Sequence, residues 1–349
     1  MTAARREAAA VPPSRPEIIP PVSSPAPQSL AFADVEAAAR RIAGEAVRTP
    51  LLPAFDRTEG RLFVKAECLQ RTGSFKFRGA FNRLSMIPQE RRAAGVVACS
   101  SGNHAQGVAA AARILAMPAV IVMPSDAPAM KIANTRDYGA RVVLYDRVSE
   151  DREAIAAAIA AETGATFVHP YEDPGVMAGQ GTVGLEIAAD LAALGLVADA
   201  LVVNASGGGL AAGIATAFGT LSPATAIHVA EPEGFDDHAR SLASGTRETN
   251  AAASGSICDA LLAGTPGAAT FAINHHRLAS GVAVPDAEVL DAVAFAARRL
   301  KLVVEPGGAV ALAAVLTGRI PLEGRTVVAV LTGGNVNDAM LARALGLGG

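Results

Sequence analysis

The chain has 349 residues, 51% of them hydrophobic and 18% charged, which is enough for a large buried core and, at typical domain sizes, for two domains. A formal net charge of −3 gives no electrostatic basis for binding nucleic acid or an anionic membrane. No apolar run reaches the roughly 18 residues that a membrane helix needs. The cysteines Cys68, Cys99 and Cys258 lack metal-ligand spacing, so free thiols in a reducing cytoplasm are expected.

Residues 1–28 are rich in alanine, proline and serine. Proline at this density prevents both helices and central strands. The segment also has no apolar core of the kind found in a secretory signal. We therefore expect a disordered tail over 1–28.

Beyond the tail, the pattern predicts alternating helices and strands. The first helix is expected over 34–42 with Asp34 as its N-cap. Further predicted helices are 79–86, 105–115, 129–138 and 151–162. Predicted strands are 61–67, 95–99, 119–123, 141–145, 166–169, 200–204, 226–230 and 326–331. The strands at 200–204, 226–230 and 326–331 are apolar throughout, which indicates parallel strands covered on both faces and an α/β fold.

The segment Thr72-Gly-Ser-Phe-Lys-Phe-Arg-Gly-Ala80 places Lys76 between two phenylalanines. Lysine is mostly exposed in proteins, and burying its ammonium is costly unless the charge is paired or removed. Condensation of the amine with an aldehyde removes the charge. Lys76 is therefore a candidate covalent-catalysis residue, with a surface lysine after a turn as the alternative.

A second block, Ser206-Gly-Gly-Gly-Leu210, follows the strand predicted over 200–204 and opens an alanine-rich helix. Glycines let the backbone approach a phosphate, and the unpaired N–H groups of a helix start bind its negative charge. The G-x-G-x-x-G spacing of dinucleotide-binding folds is not met. The block predicts a phosphate site, with a purely structural turn as the alternative.

Two more blocks complete the pattern: Ser100-Ser-Gly-Asn-His-Ala-Gln-Gly107 and Thr332-Gly-Gly-Asn335. In this order, the four blocks resemble the serine/threonine dehydratase (threonine ammonia-lyase) and serine racemase family of fold-type II pyridoxal-phosphate enzymes. The resemblance runs from about Phe32 to the C-terminus. It implies a tryptophan synthase β-like fold, in which helices flank two open, twisted, mostly parallel sheets. It also implies a large cofactor-binding domain over 29–92 and 170–349 and a small mobile domain over 93–169.

The resemblance assigns expected roles to individual residues. Lys76 would bind pyridoxal 5'-phosphate as a Schiff base and then act as the base at the substrate Cα. The expected cofactor-binding residues are Lys76, Phe75, Asn103, Ser206, Gly207, Gly208, Gly209, Leu210 and Thr332. The expected substrate-binding residues are Ser100, Ser101, Gly102, Asn103 and His104, and His104 is expected to be structural rather than catalytic. A neutral hydroxyl from Thr332 at the ring nitrogen would weaken the electron sink and favour β-elimination.

The expected reaction is the dehydration and deamination of L-threonine or L-serine to a 2-oxo acid and ammonia. Serine racemase and 3-hydroxyaspartate dehydratase activities are alternatives within the family, and a non-catalytic anion- or small-ligand-binding protein is an alternative of another class. Ser101 is a second candidate catalytic residue. Lys76 reaches one face of the planar intermediate, so a hydroxyl on the other face would act on a D-enantiomer. A plain hydrogen bond to the loop backbone is the alternative for Ser101.

The block Glu231-Pro-Glu-Gly-Phe-Asp-Asp237 is rich in carboxylates, which are ligands for hard cations. The resemblance to serine racemases implies that Glu231, the Phe235 carbonyl and Asp237 bind Mg²⁺ or Ca²⁺, with a solvated acidic turn as the alternative. The expected partner is a small amino-acid substrate, with no nucleic acid and no membrane. Family members are commonly dimers or tetramers, so a cytoplasmic homodimer or homotetramer is expected.

Overall fold

A computed structural model of the protein describes residues 30–54 and 60–347. The tail predicted over 1–28 lies outside the described residues. The helices are α1 Phe32–Ile42, α2 Lys76–Ser85, α3 Asn103–Ile114, α4 Ala129–Asp137, α5 Arg152–Thr163, α6 Pro174–Ala193, α7 Gly209–Leu221, α8 Asp237–Ser244, α9 Ala268–Arg277, α10 Asp286–Phe295, α11 Pro306–Leu316 and α12 Asp338–Ala344. The strands are β1 Leu51–Pro53, β2 Arg61–Lys65, β3 Val96–Cys99, β4 Ala119–Pro124, β5 Arg141–Tyr145, β6 Thr166–Phe167, β7 Ala200–Asn204, β8 Ala226–Pro232, β9 Ser280–Val284 and β10 Thr326–Val330.

The strands form two open sheets. One has six strands in the order β1-β2-β10-β7-β8-β9 and is parallel except for the edge strand β1. The other has four strands in the order β5-β4-β3-β6 and is parallel throughout. The predicted fold class, two mostly parallel sheets flanked by helices, is confirmed. No helix within residues 30–54 and 60–347 has both the length and the apolar character needed to cross a membrane.

The central strands of both sheets are buried on both faces, as predicted for the apolar strands at 200–204 and 326–331. In β7, Ala200 and Val202 pack into the core on one face with α10 and α11, whereas Leu201 and Val203 pack on the other with α6 and α7. In β3, alternate residues likewise enter two different cores. Because successive strand residues point to opposite faces, a strand covered on both sides must be apolar at every position.

The start of α1 differs from the prediction. The helix begins at Phe32 with Ala31 at the N-cap, so Asp34 is not the cap but the third helical residue. From there its carboxylate accepts a hydrogen bond from the Ala31 N–H at 2.9 Å. An acidic side chain at this position satisfies a free donor of the helix start, and an acidic residue at the cap itself gives a similar sequence signal.

The start of α2 also differs, and this shift places Lys76. The helix was predicted from Gly79 but begins at Lys76. Gly79 lies inside it, where α2 crosses α6, and a methyl group on Gly79 would lie 2.3 Å from Nε2 of Gln180. The Gly79 N–H donates to Oε1 of Gln180 at 3.2 Å. Glycine is therefore required here by the close approach of two helices and does not mark a helix start.

A buried ion network fixes α2 to the six-stranded sheet. The Arg78 guanidinium donates to both oxygens of Glu67 at 2.8 and 2.9 Å and to both oxygens of Glu186 at 2.7 and 2.9 Å. The Lys65 ammonium, at the end of β2, lies 2.7 Å from Glu186. Arg78, Glu67 and Lys65 are fully buried. Two cations thus balance two carboxylates, which is what buried charges require.

Candidate active site

The loops that carry the predicted site follow the carboxyl ends of parallel strands. Ser100 follows β3, Ala205 follows β7 and Leu331 follows β10. Open α/β sheets bind ligands outside these strand ends. The loops after β3 and β10 are in direct contact, because Asn335 Nδ2 donates to Oδ1 of Asn103 at 2.8 Å. The site therefore lies where the four-stranded and six-stranded sheets meet.

Lys76 is the first residue of α2, and its side chain points into this site. The Phe75 N–H donates to the Thr332 carbonyl at 3.1 Å and so fixes the start of the helix against the loop after β10. Lys76 Nζ donates to the Pro170 carbonyl at 3.0 Å and lies 5.1 Å from the centroid of the Phe75 ring. Burial of the amine lowers the pKa of Lys76 to about 8, because desolvation disfavours the ammonium.

The loop Ser206–Leu210 presents backbone donors. The N–H groups of its three glycines donate to no acceptor among residues 30–54 and 60–347. Its carbonyl oxygens face the other way and are held by side chains behind the loop, namely Thr270, Asn274 and His238. With its carbonyls fixed and its N–H groups free at the start of α7, the loop can bind a phosphate.

Side chains pack so closely on this loop that only glycine fits. A methyl group on Gly207 would lie 2.4 Å from Cδ1 of Tyr171. A methyl group on Gly208 would lie 2.5 Å from Cε1 of His238, and Gly208 has φ +90°, where L side chains are strained. The sequence analysis did not identify Tyr171 as a residue that packs on this loop.

Thr332 lies at the end of β10 with its hydroxyl polarised from behind. Asn204 Nδ2, at the end of β7, donates to Oγ1 of Thr332 at 2.9 Å. Because the hydroxyl oxygen accepts this bond, its own hydrogen is free to point elsewhere. Asn204 was not singled out from the sequence. The signal was a polar residue that ends an otherwise apolar strand.

The loop Ser100–His104 turns from β3 into α3. Ser100 Oγ accepts the Gly102 N–H at 3.2 Å, whereas the Ser101 hydroxyl is partly exposed and has no partner among the described residues. The His104 ring donates through Nε2 to the Val168 carbonyl at 3.1 Å. Burial, together with the nearby Lys76, lowers the pKa of His104 to about 3. This histidine is therefore neutral at physiological pH.

Two charged residues that the sequence analysis did not select border the same loop. Asn103 Nδ2 donates to Oε1 of Glu305, and the Glu305 N–H donates to the Gly333 carbonyl at 3.0 Å. Burial raises the pKa of Glu305 to about 7, and Lys131 lowers it by a smaller amount. Lys131 Nζ lies 3.8 Å from Oε2 of Glu305. Nothing in the sequence around Lys131, a lone lysine in a short helix, indicated that Glu305 would contact both Lys131 and Asn103.

The predicted cation ligands Glu231 and Asp237 lie together at the end of β8. Their carboxylates and the His238 ring come within 4.8 Å of one another. Both His238 ring nitrogens are engaged, Nδ1 with the Ser206 carbonyl at 3.1 Å and Nε2 with Asn274 at 3.0 Å. Burial and the neighbouring Asp237 raise the pKa of Glu231 well above its usual range. Burial also raises the pKa of Asp237 to about 6.

These residues fit a pyridoxal phosphate: a buried amine, a loop of free N–H groups for the phosphate and a hydroxyl with a free hydrogen for the ring. Residues 42–333 match the family model described as "Pyridoxal-phosphate dependent enzyme". The chain belongs to this family. The prediction of pyridoxal phosphate as a cofactor is thereby confirmed.

The relatives of this chain indicate the class of reaction. The L-threo-3-hydroxyaspartate ammonia-lyase of Pseudomonas sp is 44% identical over 91% of this chain and 99% of its own length. The threonine deaminase of T.th. is 43% identical, with a TM-score of 0.83 over 88% of this chain and 99% of that one. Maize serine racemase is 34% identical, with a TM-score of 0.85 over 91% and 97%.

The reaction class expected from the sequence, a pyridoxal-phosphate-dependent elimination by a lyase, is confirmed by these relatives. The alternative of a non-catalytic binding protein is set aside, because the chain aligns with enzymes over about nine-tenths of its length.

The lowered pKa of Lys76 leads to a first prediction. In cofactor-free protein, the rate of pyridoxal phosphate incorporation should rise with pH and level off with a midpoint near 8, because only the neutral amine attacks an aldehyde. An unperturbed lysine would give a midpoint near roughly 10.4. Absorbance after rapid mixing at a series of pH values measures this, and a midpoint at the unperturbed value would contradict it.

Proposed function

We propose that this protein is an ammonia-lyase for a β-hydroxy amino acid, with L-threonine and L-serine among its substrates and a 2-oxo acid and ammonia as its products. The observation that carries the proposal is that the helix with the buried Lys76 amine is joined to the loop that offers the Thr332 hydroxyl, through the hydrogen bond from the Phe75 N–H to the Thr332 carbonyl at 3.1 Å. A neutral partner for the ring nitrogen leaves the electron sink weak, which favours rapid expulsion of a β-leaving group over a long-lived carbanion.

Specific residues would hold the cofactor. Lys76 would hold its aldehyde carbon covalently, the loop Ser206–Leu210 its phosphate, Asn103 its ring oxygen and Thr332 its ring nitrogen, with Phe75 beside the ring. Asn103 can donate in this way, since its amide has two hydrogens and Glu305 accepts one. When bound, pyridoxal phosphate withdraws electrons from the amino acid and makes the Cα proton acidic.

The remaining chemistry belongs to side chains and backbone of this chain. Free N–H groups of the loop Ser100–His104 and the Ser100 hydroxyl bind the substrate α-carboxylate. The Lys76 amine, once free and neutral, removes the Cα proton. Its lowered pKa suits this role, because a general base works best when its pKa lies near the operating pH.

We also propose that 93–169 is a small mobile domain that closes on the large domain over 29–92 and 170–349, so that Ser100–His104 moves toward Lys76.

The second prediction tests the function itself. Lys76→Ala should lower kcat for L-threonine and L-serine by at least roughly 10²–10⁴-fold, since both the covalent anchor and the base are lost. The release of 2-oxo acid measures the effect. Lys301→Ala, which alters an exposed lysine, serves as the control and should keep wild-type rates. Near-wild-type turnover by Lys76→Ala, or no elimination of any β-hydroxy amino acid by the wild type, would refute the proposal.

A second candidate activity, on D-serine or as slow racemisation, rests on Ser101. Its hydroxyl is partly exposed and has no hydrogen-bond partner among the described residues, which supports a role toward a ligand over one in the loop. A hydroxyl opposite Lys76 would exchange the proton on the other face of the substrate Cα. An acid or base on each face is what inversion requires.

As a third prediction, Ser101→Ala should lower D-serine turnover by about 10²-fold or more relative to L-serine elimination, because only one face loses its proton-transfer group. Ser100→Ala is the matched control, and it should lower the turnover of both enantiomers, because it alters the site for the α-carboxylate that they share. The release of 2-oxo acid from each enantiomer measures the ratio, and chiral chromatography of the remaining serine measures racemisation. A wild-type protein inactive on every D-substrate would leave a strictly L-specific lyase.

We further propose that Glu231, Asp237 and the Phe235 carbonyl bind Mg²⁺ or Ca²⁺. Support comes from two buried carboxylates that lie within 4.8 Å of each other, and from Asp237 Oδ2, which has no hydrogen-bond partner among the described residues. His238 lies within reach but its ring nitrogens are engaged elsewhere, so oxygen ligands remain. Hard cations prefer such ligands.

The fourth prediction follows from this site. A chelator should lower the Tm of the holoenzyme by about 3–8 °C, since a ligand that binds only the folded state stabilises it. Asp237→Asn should abolish the response, whereas Asp236→Asn, on the adjacent residue, should keep it. Calorimetry with and without added Mg²⁺ measures both, and a metal-free protein whose Tm does not respond to the chelator would contradict the site.

Assembly and location complete the proposal. We propose that the protein is a homodimer or homotetramer, as members of the family commonly are. We also propose a cytoplasmic location, which the free, buried cysteines support. Light scattering of the purified protein tests the assembly, and a monomer would contradict it.

A further inference from the structure

Lys131 is a buried lysine that the proposed mechanism does not use. It lies in the first turn of α4 and is only 4% exposed. Its side chain runs along the substrate loop, Ser100–His104, and a methyl group on Gly102 would lie 3.4 Å from its Nζ. A buried ammonium needs a compensating anion and is rarely placed inside a protein without one. Its position against Gly102 puts a fixed positive charge at the predicted substrate site.

Two carboxylates from the other side of the cleft face this ammonium. Asp259 Oδ2 lies 2.5 Å from Nζ, and Oε2 of Glu305 lies at 3.8 Å. The Asp259 side chain is 45% exposed, whereas that of Glu305 is 2% exposed and tied to Asn103. Asp259 can therefore turn toward water when another carboxylate takes its place at the ammonium, whereas Glu305 is held by Asn103.

The carboxyl group of Glu305 does not fully compensate the positive charge of Lys131. Burial raises the pKa of Glu305 to about 7, so near neutral pH this carboxyl is protonated in a large fraction of molecules. Its Oε2 atom makes no hydrogen bond within the described part of the chain. When Asp259 turns away, the nearest full anion is gone and the ammonium can accept a carboxylate from a ligand.

We propose that Lys131 binds a second carboxylate of the substrate, so that the preferred β-hydroxy amino acid is a dicarboxylate, and that Asp259 occupies this subsite until the substrate replaces it. This inference rests on the proposed lyase function and adds the class of its substrate. A charge-assisted hydrogen bond to a carboxylate is among the stronger polar contacts available to a protein. L-serine and L-threonine have no group that could use it.

The experiment compares two substrates that differ by one group. L-threo-3-hydroxyaspartate is serine with a carboxylate in place of one β-hydrogen. For the wild-type holoenzyme, kcat/KM should be higher for hydroxyaspartate than for L-serine. Lys131→Met keeps the apolar stem and removes the charge, and it should lower the ratio of the two kcat/KM values at least about tenfold, mainly through KM.

Three further variants keep the test sharp. Asp259→Asn removes the carboxylate that competes with the substrate and should raise the ratio of the two kcat/KM values. If Lys131 and Asp259 formed only a structural ion pair, Asp259→Asn would instead lower this ratio as Lys131→Met does. Arg136→Met removes an exposed cation from the same helix and should leave the ratio unchanged. Lys131→Gln replaces Lys131→Met if the latter does not fold, as judged by Tm and cofactor absorbance.

Binding of succinate, an unreactive dicarboxylate, to the holoenzyme gives a readout apart from turnover. Calorimetry should show binding that Lys131→Met loses and Arg136→Met keeps. Equal losses for L-serine and hydroxyaspartate in Lys131→Met would place the α-carboxylate at Lys131 and overturn the inference. So would a wild type that eliminates from L-serine with no preference for hydroxyaspartate, a result that leaves the proposed lyase function intact.

Discussion

The site depends on the burial of one amine. Lys76 Nζ has a backbone carbonyl, that of Pro170, as its hydrogen-bond acceptor, and desolvation alone lowers its pKa. A carboxylate in this position would have stabilised the ammonium and raised the pKa instead. The protein therefore places the strong anions Glu67 and Glu186 elsewhere, on Arg78.

Holding a lysine in such a place requires a rigid helix, and the rest of α2 supplies it. Arg78, two residues after Lys76, is bound by two carboxylates and cannot shift without leaving a charge unpaired in the core. Gly79 allows α6 to approach closely. One side of α2 packs into the core of the four-stranded sheet through Phe77 and Phe81, so the helix that carries Lys76 touches both sheets.

Where the sheets meet, the contacts around the substrate loop are polar. Asn103 joins Asn335 and Glu305, and Lys131 joins Asp259 and Glu305. Such contacts can be exchanged for contacts with a ligand, whereas an apolar interface would resist opening. The same atoms can thus hold the cleft in the free protein and recognise the substrate when it binds.

Much of this could be predicted from the sequence, because local rules set it. Apolar runs such as Val327–Val330 must be strands covered on both faces, and Gly207–Gly209 after a strand must be a tight turn with free N–H groups. Lys76 between two phenylalanines is unusual for a surface lysine. These features depend on neighbours along the chain, so one sequence is enough to reveal them.

Tertiary structure alone decided the rest, since it depends on residues far apart in the chain. Asn204 polarises Thr332 across 128 positions, and Lys131 meets Asp259 across the same number. Nothing near Lys131 distinguishes it from a surface lysine on a short helix. Its burial follows from the packing of α4 against the loop after β3, and its charge acquires meaning from carboxylates that the other sheet brings within reach.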